Sequence, residues 1–267
     1  MDLGLKDKIV LVTGGAKGIG AATVKAFLAE DSKVVLVDRD ADEGSALSKS
    51  SGSKVSFIEA DLTNLKSCKE AVEQTVSLFG GLDVLVNNAG FNDGLGLETS
   101  PEDFMTSVQN NLLHVYAMTH YALPQIRKGP GCILNLGSKV SVTGQGKTSA
   151  YAAAKGAISA LTREWAVALA PEKVRVNCVI PAECITDQYE QFFQTQTNPE
   201  AAKKAIADIV PFEQRLTTPE EIAQTIVFLA SDWRAHPTGE LILVHGGYTH
   251  IERAVGHGRN KWLEVNE

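Results

Sequence analysis

The feature that most restricts the fold of this chain is a glycine-rich turn at residues 13–20, Thr-Gly-Gly-Ala-Lys-Gly-Ile-Gly. A short apolar run at 8–13 leads into the turn, and an amphipathic segment at 21–30 follows it. A buried strand that passes through such a turn into a helix presents free N–H groups and the positive end of the helix dipole to a phosphate. Because glycines permit a tight turn and a close approach of the backbone, the pattern predicts a pyrophosphate site of a dinucleotide.

The same alternation of short apolar strands and helices continues along the chain. Strands are expected at 8–13, 33–37, 54–59, 83–86, 131–136, 174–180 and 240–244, and helices at 21–30, 64–79, 101–126, 149–169 and 220–230. About seven strands with helices between them predict one α/β domain over 1–250, a doubly wound Rossmann-type sheet that is mostly parallel and has helices on both faces. Ligands of such sheets bind at the carboxyl ends of the strands, where Gly14, Asp38, Asp61, Asn88 and Ser138 fall.

Asp38 ends the second predicted strand, at the position that binds the ribose 2′-hydroxyl about 20 residues after the glycine turn. A carboxylate accepts hydrogen bonds from the ribose diol and repels a 2′-phosphate, which favours NAD. Lys17 lies inside the turn and Arg39 follows Asp38, and both could instead attract a 2′-phosphate. The sequence therefore predicts a preference for NAD and leaves NADP use open.

Tyr151 and Lys155 are four residues apart in the predicted helix 149–169, so their side chains lie on one face, one turn apart. A lysine cation close to a phenol favours the phenolate, so the spacing predicts a pKa of Tyr151 below its usual value of about 10. Such a tyrosine serves as a general base or, in reverse, as a general acid. A Tyr-x-x-x-Lys pair alone is common on surface helices, and its weight here comes from the surrounding motifs.

Composition argues against several classes of function. The net charge of −7, from 25 Lys and Arg against 32 Asp and Glu, disfavours nucleic acid and anionic membrane as main partners. The start of the chain is charged and no apolar run approaches the ~20 residues of a spanning helix, so we expect a cytoplasmic protein. The cysteines Cys68, Cys132, Cys178 and Cys184 are far apart, which favours reduced thiols over a disulfide framework or a zinc site.

Several motifs together resemble the classical short-chain dehydrogenase/reductases. They are the turn 13–20, Asn87-Asn88-Ala89-Gly90, Asn111, Ser138 and Tyr151-x-x-x-Lys155, within a match that runs from about residue 8 to 247. The resemblance implies an NAD(P)-dependent oxidoreductase in which Tyr151 is the catalytic acid/base and Ser138 hydrogen-bonds the substrate oxygen. It also implies that Lys155 lowers the tyrosine pKa and holds the nicotinamide ribose, and that Asn111 anchors a water of a proton relay.

The resemblance also implies the contacts of the cofactor. Asp61 and Leu62 would contact adenine, and Ile185 and Thr186 would hold the nicotinamide carboxamide. The implied cofactor-binding residues are Gly14, Lys17, Gly18, Ile19, Gly20, Asp38, Arg39, Asp61, Leu62, Asn88, Gly90, Tyr151, Lys155, Ile185 and Thr186. No metal is implied.

Two positions depart from the common pattern of that family. Ala182-Glu183 follows Pro181 where a glycine is usual, and His245 precedes the last Gly-Gly where an acidic residue is usual. A carboxylate beside the nicotinamide pocket suits a polyhydroxylated substrate, because a buried carboxylate needs hydroxyl donors. Alternatively, Glu183 points to solvent or pairs with a lysine.

Further stretches, among them residues 92–97, 143–146, 180–183 and 246–250, resemble the bacterial L-fucose dehydrogenases within this family. This resemblance implies oxidation of a sugar at C1 to a lactone. The expected substrate-binding residues are Asn92, Asp93, Ser138, Gln145, Tyr151 and Glu183. Asn92 and Asp93 could equally be turn residues. A reductase of a 3-oxoacyl or ketone substrate, and a catalytically silent NAD-binding sensor, remain as alternatives.

Three expectations concern the periphery of the domain. The long connection 186–211 is typical of a lid over the substrate. The long helices 101–126 and 149–169 commonly pack across two-fold interfaces in this family, so we expect a homotetramer or homodimer. The charged tail 251–267 is either a disordered end or an arm that reaches a neighbouring subunit.

Overall fold

The computed structural model describes residues 2–250, and the predicted tail 251–267 lies outside them. The strands form one sheet in the order β3-β2-β1-β4-β5-β6-β7, with every neighbouring pair parallel. The strands are β1 (Ile9–Thr13), β2 (Lys33–Asp38), β3 (Val55–Glu59), β4 (Val84–Asn87), β5 (Cys132–Leu136), β6 (Arg175–Pro181) and β7 (Leu241–Val244). This confirms the predicted doubly wound α/β fold. The strand order reverses between β1 and β4, which is where such sheets open a crevice for ligands.

Helices cover both faces of this sheet. They are α1 (Gly18–Ala29), α2 (Ala41–Ser51), α3 (Leu65–Phe79), α4 (Pro101–Ile126), α5 (Ser149–Leu169), α6 (Asp187–Gln194), α7 (Pro199–Asp208) and α8 (Pro219–Ala230). The sequence analysis did not predict α2, α6 or α7. These helices are only 11, 8 and 10 residues long, and Gly44 and Phe193 are their only buried residues, so each is too short for its helical periodicity to be distinguished from a loop. None of the described helices is long and apolar enough to cross a lipid bilayer.

The core consists of two apolar layers, one on each face of the sheet. Val34 and Leu36 of β2 point into the layer that α1 and α8 cover, whereas Val35 and Val37 point into the layer beneath α3, α4 and α5. Successive side chains of a strand alternate between faces, so a strand covered on both faces must be apolar at every position. This explains why the central strands read as unbroken apolar runs.

A buried polar network fixes α4 and α5 relative to the sheet. The Asn87 side-chain amide of β4 donates to Asn135 Oδ1 of β5 at 2.9 Å and to Thr119 Oγ1 of α4 at 3.1 Å. The Asn135 amide in turn donates to Thr162 Oγ1 of α5 at 2.9 Å. Because a buried amide that loses its partner costs about 1–3 kcal/mol, this network holds both helices in one register on the sheet.

Candidate active site

A cleft of about 900 Å³ lies along the carboxyl ends of the strands. The structure places most of the site residues predicted from the sequence on its wall. These are Gly14, Lys17, Gly18, Ile19, Gly20, Asp38, Arg39, Asp61, Leu62, Asn88, Gly90, Asn92, Ser138, Gln145, Tyr151, Lys155, Glu183 and Thr186. Asn111, Asp93 and Ile185 do not line it. One end of the cleft is formed by the turn after β1, and the other by the segments after β5 and β6.

The glycine turn has the backbone shape of an anion cradle. Gly14 and Gly18 adopt positive φ values of 62° and 51°, and a Cβ on Gly20 would lie 1.9 Å from the Gly14 carbonyl oxygen. The first backbone bond of α1 runs from Ala21 N to Lys17 O, so helix geometry leaves the N–H groups of Gly18–Gly20 without an intrahelical acceptor. No side chain caps α1. These free donors beside a side-chain-free backbone fit a pyrophosphate.

Asn88 holds that turn against β4. Its side-chain amide donates to the carbonyl oxygens of Thr13 and Gly14, each at 2.9 Å. The Thr13 hydroxyl accepts from the backbone N–H groups of Asn88 and Ala89, each at 3.0 Å. The geometry therefore gives Asn88 a buttressing contact that the sequence analysis did not foresee, in addition to its place on the cleft wall.

The ribose end of the cleft is acidic. The Asp38 carboxylate accepts hydrogen bonds from Ala16 N at 3.0 Å and Asp40 N at 3.1 Å, which fixes it after β2. Lys17 forms an ion pair with Asp40 at 2.7 Å, and this hydrogen bond raises the pKa of Lys17, so its charge is present but already compensated. The Arg39 guanidinium lies 6.0 Å from the centroid of the Phe91 ring.

Ser138, Tyr151 and Lys155 come together where β5 and α5 meet. The Ser138 hydroxyl is hydrogen-bonded to the Tyr151 phenol, and Lys155 Nζ lies 5.5 Å from the centroid of the tyrosine ring. The Lys155 ammonium donates to the Leu136 carbonyl oxygen at 2.7 Å. Its side chain is 2% exposed, so the cation is held in a fixed direction within the wall.

The direction of the Tyr151 pKa shift differs from the sequence-based expectation. Burial raises the pKa of Tyr151 to about 12, and the hydrogen bond from Ser138 offsets only part of that rise. Burial also lowers the pKa of Lys155 to about 8. The helical spacing does bring the two side chains to one face. The Lys155 ammonium, however, donates its hydrogen bond to the Leu136 carbonyl and not to the phenol. The cost of desolvating the phenolate therefore determines the direction of the pKa shift of Tyr151.

Asn111 and His114 lie on α4 behind the catalytic candidates. Asn111 is fully buried and accepts from Phe91 N at 2.9 Å. A Cβ on Gly90 would lie 3.2 Å from Asn111 Oδ1 and 3.5 Å from Lys155 Nζ, so Gly90 separates these two groups without filling the space between them. His114 lines the cleft, and neither ring nitrogen has a hydrogen-bond partner among residues 2–250. Burial lowers its pKa to about 4, so the imidazole is neutral.

Glu183 is buried inside the cleft rather than directed to solvent. It forms an ion pair with Lys139, accepts a hydrogen bond from the Tyr189 hydroxyl and is also hydrogen-bonded by Tyr248. Burial raises the pKa of Glu183 to about 7 and lowers the pKa of Lys139 to about 8. The alternative of a lysine partner is therefore correct. The sequence analysis missed Lys139, Tyr189 and Tyr248, although Lys139 directly follows Ser138.

The remaining predicted substrate and nicotinamide residues occupy different places. Asn92 Oδ1 accepts from Gly94 N at 3.1 Å, as in the turn alternative, while the residue still lines the cleft. Asp93 lies off the wall, and one of its carboxylate oxygens has no partner among the described residues. Ile185 also lies off the wall, and its N–H donates to the Thr217 carbonyl at 2.9 Å.

The segment 186–211 forms α6 and α7 and supplies one side of the cleft through Thr186, Tyr189, Phe192, Ile206 and Ile209. The movement of this segment as a lid stays a prediction. Thr186 caps α6 and faces the glycine turn, with its Cγ2 3.4 Å from where a Gly18 Cβ would be. Within residues 2–250, no three His, Cys, Asp or Glu side chains are grouped so that they could hold a metal ion.

The sequence is similar to those of known oxidoreductases over most of its length. Residues 14–249 match the family model described as Enoyl-(Acyl carrier protein) reductase. The chain is 38% identical to the L-fucose dehydrogenase of Mus musculus, covering 94% of this chain and 90% of that protein. It is 35% identical to the 3-oxoacyl-[acyl-carrier-protein] reductase FabG of Thermotoga maritima, over 91% of this chain and 98% of that protein.

Two solved structures show the same architecture. Cj0485 dehydrogenase superposes with a TM-score of 0.91 at 44% identity and covers 95% of this chain and 98% of its own. The ligand-free aldohexose dehydrogenase of Thermoplasma acidophilum gives a TM-score of 0.86 at 29% identity, with 94% and 97% covered. The matches extend over nearly the whole sequence, and they confirm that the chain belongs to the short-chain dehydrogenase/reductase family of oxidoreductases.

Proposed function

We propose that this protein is an NAD-preferring dehydrogenase that oxidises L-fucose or a related aldose at C1 to the lactone. The observation that carries the proposal is the pairing of two features in one cleft. Ser138, Tyr151 and Lys155 form the reactive grouping, and the buried Lys139–Glu183 ion pair makes the adjoining wall polar. A wall of this kind suits a hydroxylated ring, and the similarity to L-fucose and aldohexose dehydrogenases supports the same class of substrate.

In the proposed reaction, Tyr151 takes the proton of the C1 hydroxyl and Ser138 holds the reacting oxygen. Bound NAD would supply the electrophile that accepts hydride from C1. A phenol with a pKa near 12 is a poor base at neutral pH, so the proposal requires that the occupied site lower it. Lys155 provides a cation for this, since a positive charge nearby favours the phenolate. Asn111 would support Lys155 from behind Gly90.

A reductase of a 3-oxoacyl thioester is the second candidate, because the identity to FabG is nearly as high as that to L-fucose dehydrogenase. The buried ion pair disfavours it. An acyl chain has no groups that replace the hydrogen bonds that water makes to buried charges, so its approach would carry an uncompensated desolvation cost.

We predict that purified protein reduces NAD with L-fucose, and that Tyr151→Phe lowers turnover by about 10²–10⁴-fold while NADH binding persists, because only the proton-transfer group is lost. NADH absorbance measures turnover with L-fucose, L-galactose, D-arabinose and D-glucose, and NADH fluorescence measures binding. Tyr121→Phe, which removes a hydroxyl on α4 away from the cleft wall, is the matched control. Silence on all four sugars together with NADPH-dependent reduction of a 3-oxoacyl thioester would refute the sugar proposal.

The second prediction concerns the cofactor-free enzyme. Because burial raises the pKa of Tyr151 to about 12, the phenol stays protonated up to about pH 10. Between about pH 10 and 12 the phenol ionises in the unfolded chain but not in the folded one, so the free energy of unfolding falls as the pH rises through this range. Tyrosinate absorbance of wild type and Tyr151→Phe should coincide below pH 10. A tyrosinate that forms below pH 9 in wild type and is missing in the variant contradicts this result.

For the cofactor, we propose that Asp38 selects NAD and that Lys17, already paired with Asp40, contributes little to binding a 2′-phosphate. Asp38→Asn removes the charge and keeps one acceptor oxygen, for Ala16 N or for Asp40 N but not for both. We expect the ratio of kcat/KM for NADP to that for NAD to rise about tenfold, equivalent to about 1.4 kcal/mol. Asp42→Asn, an exposed position on α2, gives the matched change in charge. Equal ratios in the two variants would rule out selection by Asp38.

We further propose a cytoplasmic homotetramer or homodimer. Its support is that α4 and α5 pack side by side yet leave Met105, Tyr116 and Val167 exposed, the last at 78%. Sedimentation velocity at micromolar concentration should show an oligomer that Val167→Asp weakens. Leu97→Asp, at a loop position that is even more exposed, should leave it unchanged. A monomeric wild-type protein contradicts the proposal.

A further inference from the structure

The substrate side of the cleft contains a buried ion pair that the reaction chemistry does not use. Lys139 follows Ser138 directly, and Glu183 follows β6; their side chains are 8% and 4% exposed, and both line the cleft. Removing two charges from water costs several kcal/mol each, and good geometry and further hydrogen bonds must offset that cost. Such a pair inside a binding cleft is therefore a candidate for recognition, a reading that rests on the proposed function.

Donors of the protein itself occupy most of the hydrogen-bonding positions of the Glu183 carboxylate. One carboxylate oxygen faces Lys139, the other accepts from the Tyr189 hydroxyl, and Tyr248 contributes a further hydrogen bond. The carboxylate is thus surrounded by three donors, from the 3₁₀ turn Lys139–Ser141, from α6 and from the 3₁₀ turn Tyr248–His250. A carboxylate accepts about four hydrogen bonds, so Glu183 keeps about one position for a substrate hydroxyl and is held mainly by the protein's own donors.

Lys139, in contrast, has more hydrogen-bond donors than the protein uses. An ammonium group carries three N–H donors, and Glu183 is the only hydrogen-bond acceptor that residues 2–250 offer to it. The Tyr248 ring covers another side of the ammonium, with its centroid 4.4 Å from Nζ. At least one donor is therefore left for a ligand, on the residue next to the one proposed to hold the reacting oxygen.

We infer that Lys139 binds the substrate directly, by donating a hydrogen bond to a hydroxyl oxygen close to the reacting carbon, and that Glu183 is a positioning residue that holds the ammonium in place. In this inference the substrate hydroxyl contacts Lys139, and Glu183 contacts Lys139. Because Glu183 compensates the charge of Lys139, the site favours a neutral polyhydroxylated ring over a sugar acid.

The inference is tested with L-fucose and its 2-, 3- and 4-deoxy analogues at saturating NAD. In wild type, the analogue that lacks the bound hydroxyl should lose about 10- to 100-fold in kcat/KM, the range for a hydrogen bond to a charged group. Lys139→Met should lower kcat/KM for L-fucose by a similar factor and reduce that analogue's penalty to within about threefold of unity. Glu183→Gln keeps Lys139, so the penalty should persist even if overall activity falls.

The controls separate this inference from the proposed function. NADH binding verifies folding of each variant, and the double variant Lys139→Met/Glu183→Gln, which leaves no lone buried charge, replaces Lys139→Met in the same test if the single variant does not fold. Lys204→Met, which breaks an exposed ion pair with Asp208, should leave every ratio unchanged. A deoxy penalty that persists in Lys139→Met, or one that vanishes in Glu183→Gln, overturns the inference and leaves sugar oxidation intact. No wild-type turnover of any sugar overturns both.

Discussion

The hydrogen bonds between Asn88 and the glycine turn after β1 are the constraint on which the rest of the site depends. They tie the end of β1 to the end of β4 at the point where the strand order reverses. If the turn were free to move, the uncapped N-terminus of α1 would not face the cleft in a fixed direction. A Cβ on Gly14 would lie 2.9 Å from the Ala89 backbone, so the close approach of the two loops itself requires glycine.

The two ends of the cleft handle charge in different ways. At the ribose end, Asp38, Asp40 and Lys17 are partly exposed, so water screens them and their net effect is a modest bias. At the substrate end, Lys139 and Glu183 are nearly dry, and their separate pKa values shift toward neutral forms because burial penalises both charges. Under the proposed function, cofactor selection at the first end would be graded, whereas substrate recognition at the second would depend on complete hydrogen bonding.

Much of this architecture could be predicted from the sequence, because its determinants are local. The apolar runs mark strands that are covered on both faces, and the glycine turn marks the strand-to-helix junction after β1. Tyr151 and Lys155 share a helix face through spacing alone. The ion pair of Lys139 and Glu183 joins residues 44 positions apart, and no local pattern encodes such a contact. The pKa of Tyr151 was predicted in the wrong direction because desolvation depends on everything that packs around the phenol, not on its neighbour one turn away.

The buried amide network beneath the cleft has a consequence for how the family can diversify. Asn87 and Asn135 bind α4 and α5 to the sheet, and those helices carry Asn111, Tyr151 and Lys155. The groups proposed for chemistry therefore share one rigid foundation. Tyr189 and Phe192, by contrast, belong to a connection outside the sheet. The sequence of that connection can therefore change during evolution while α4, α5 and the sheet are kept. Such changes would alter the substrate that is bound without altering the groups proposed for the reaction.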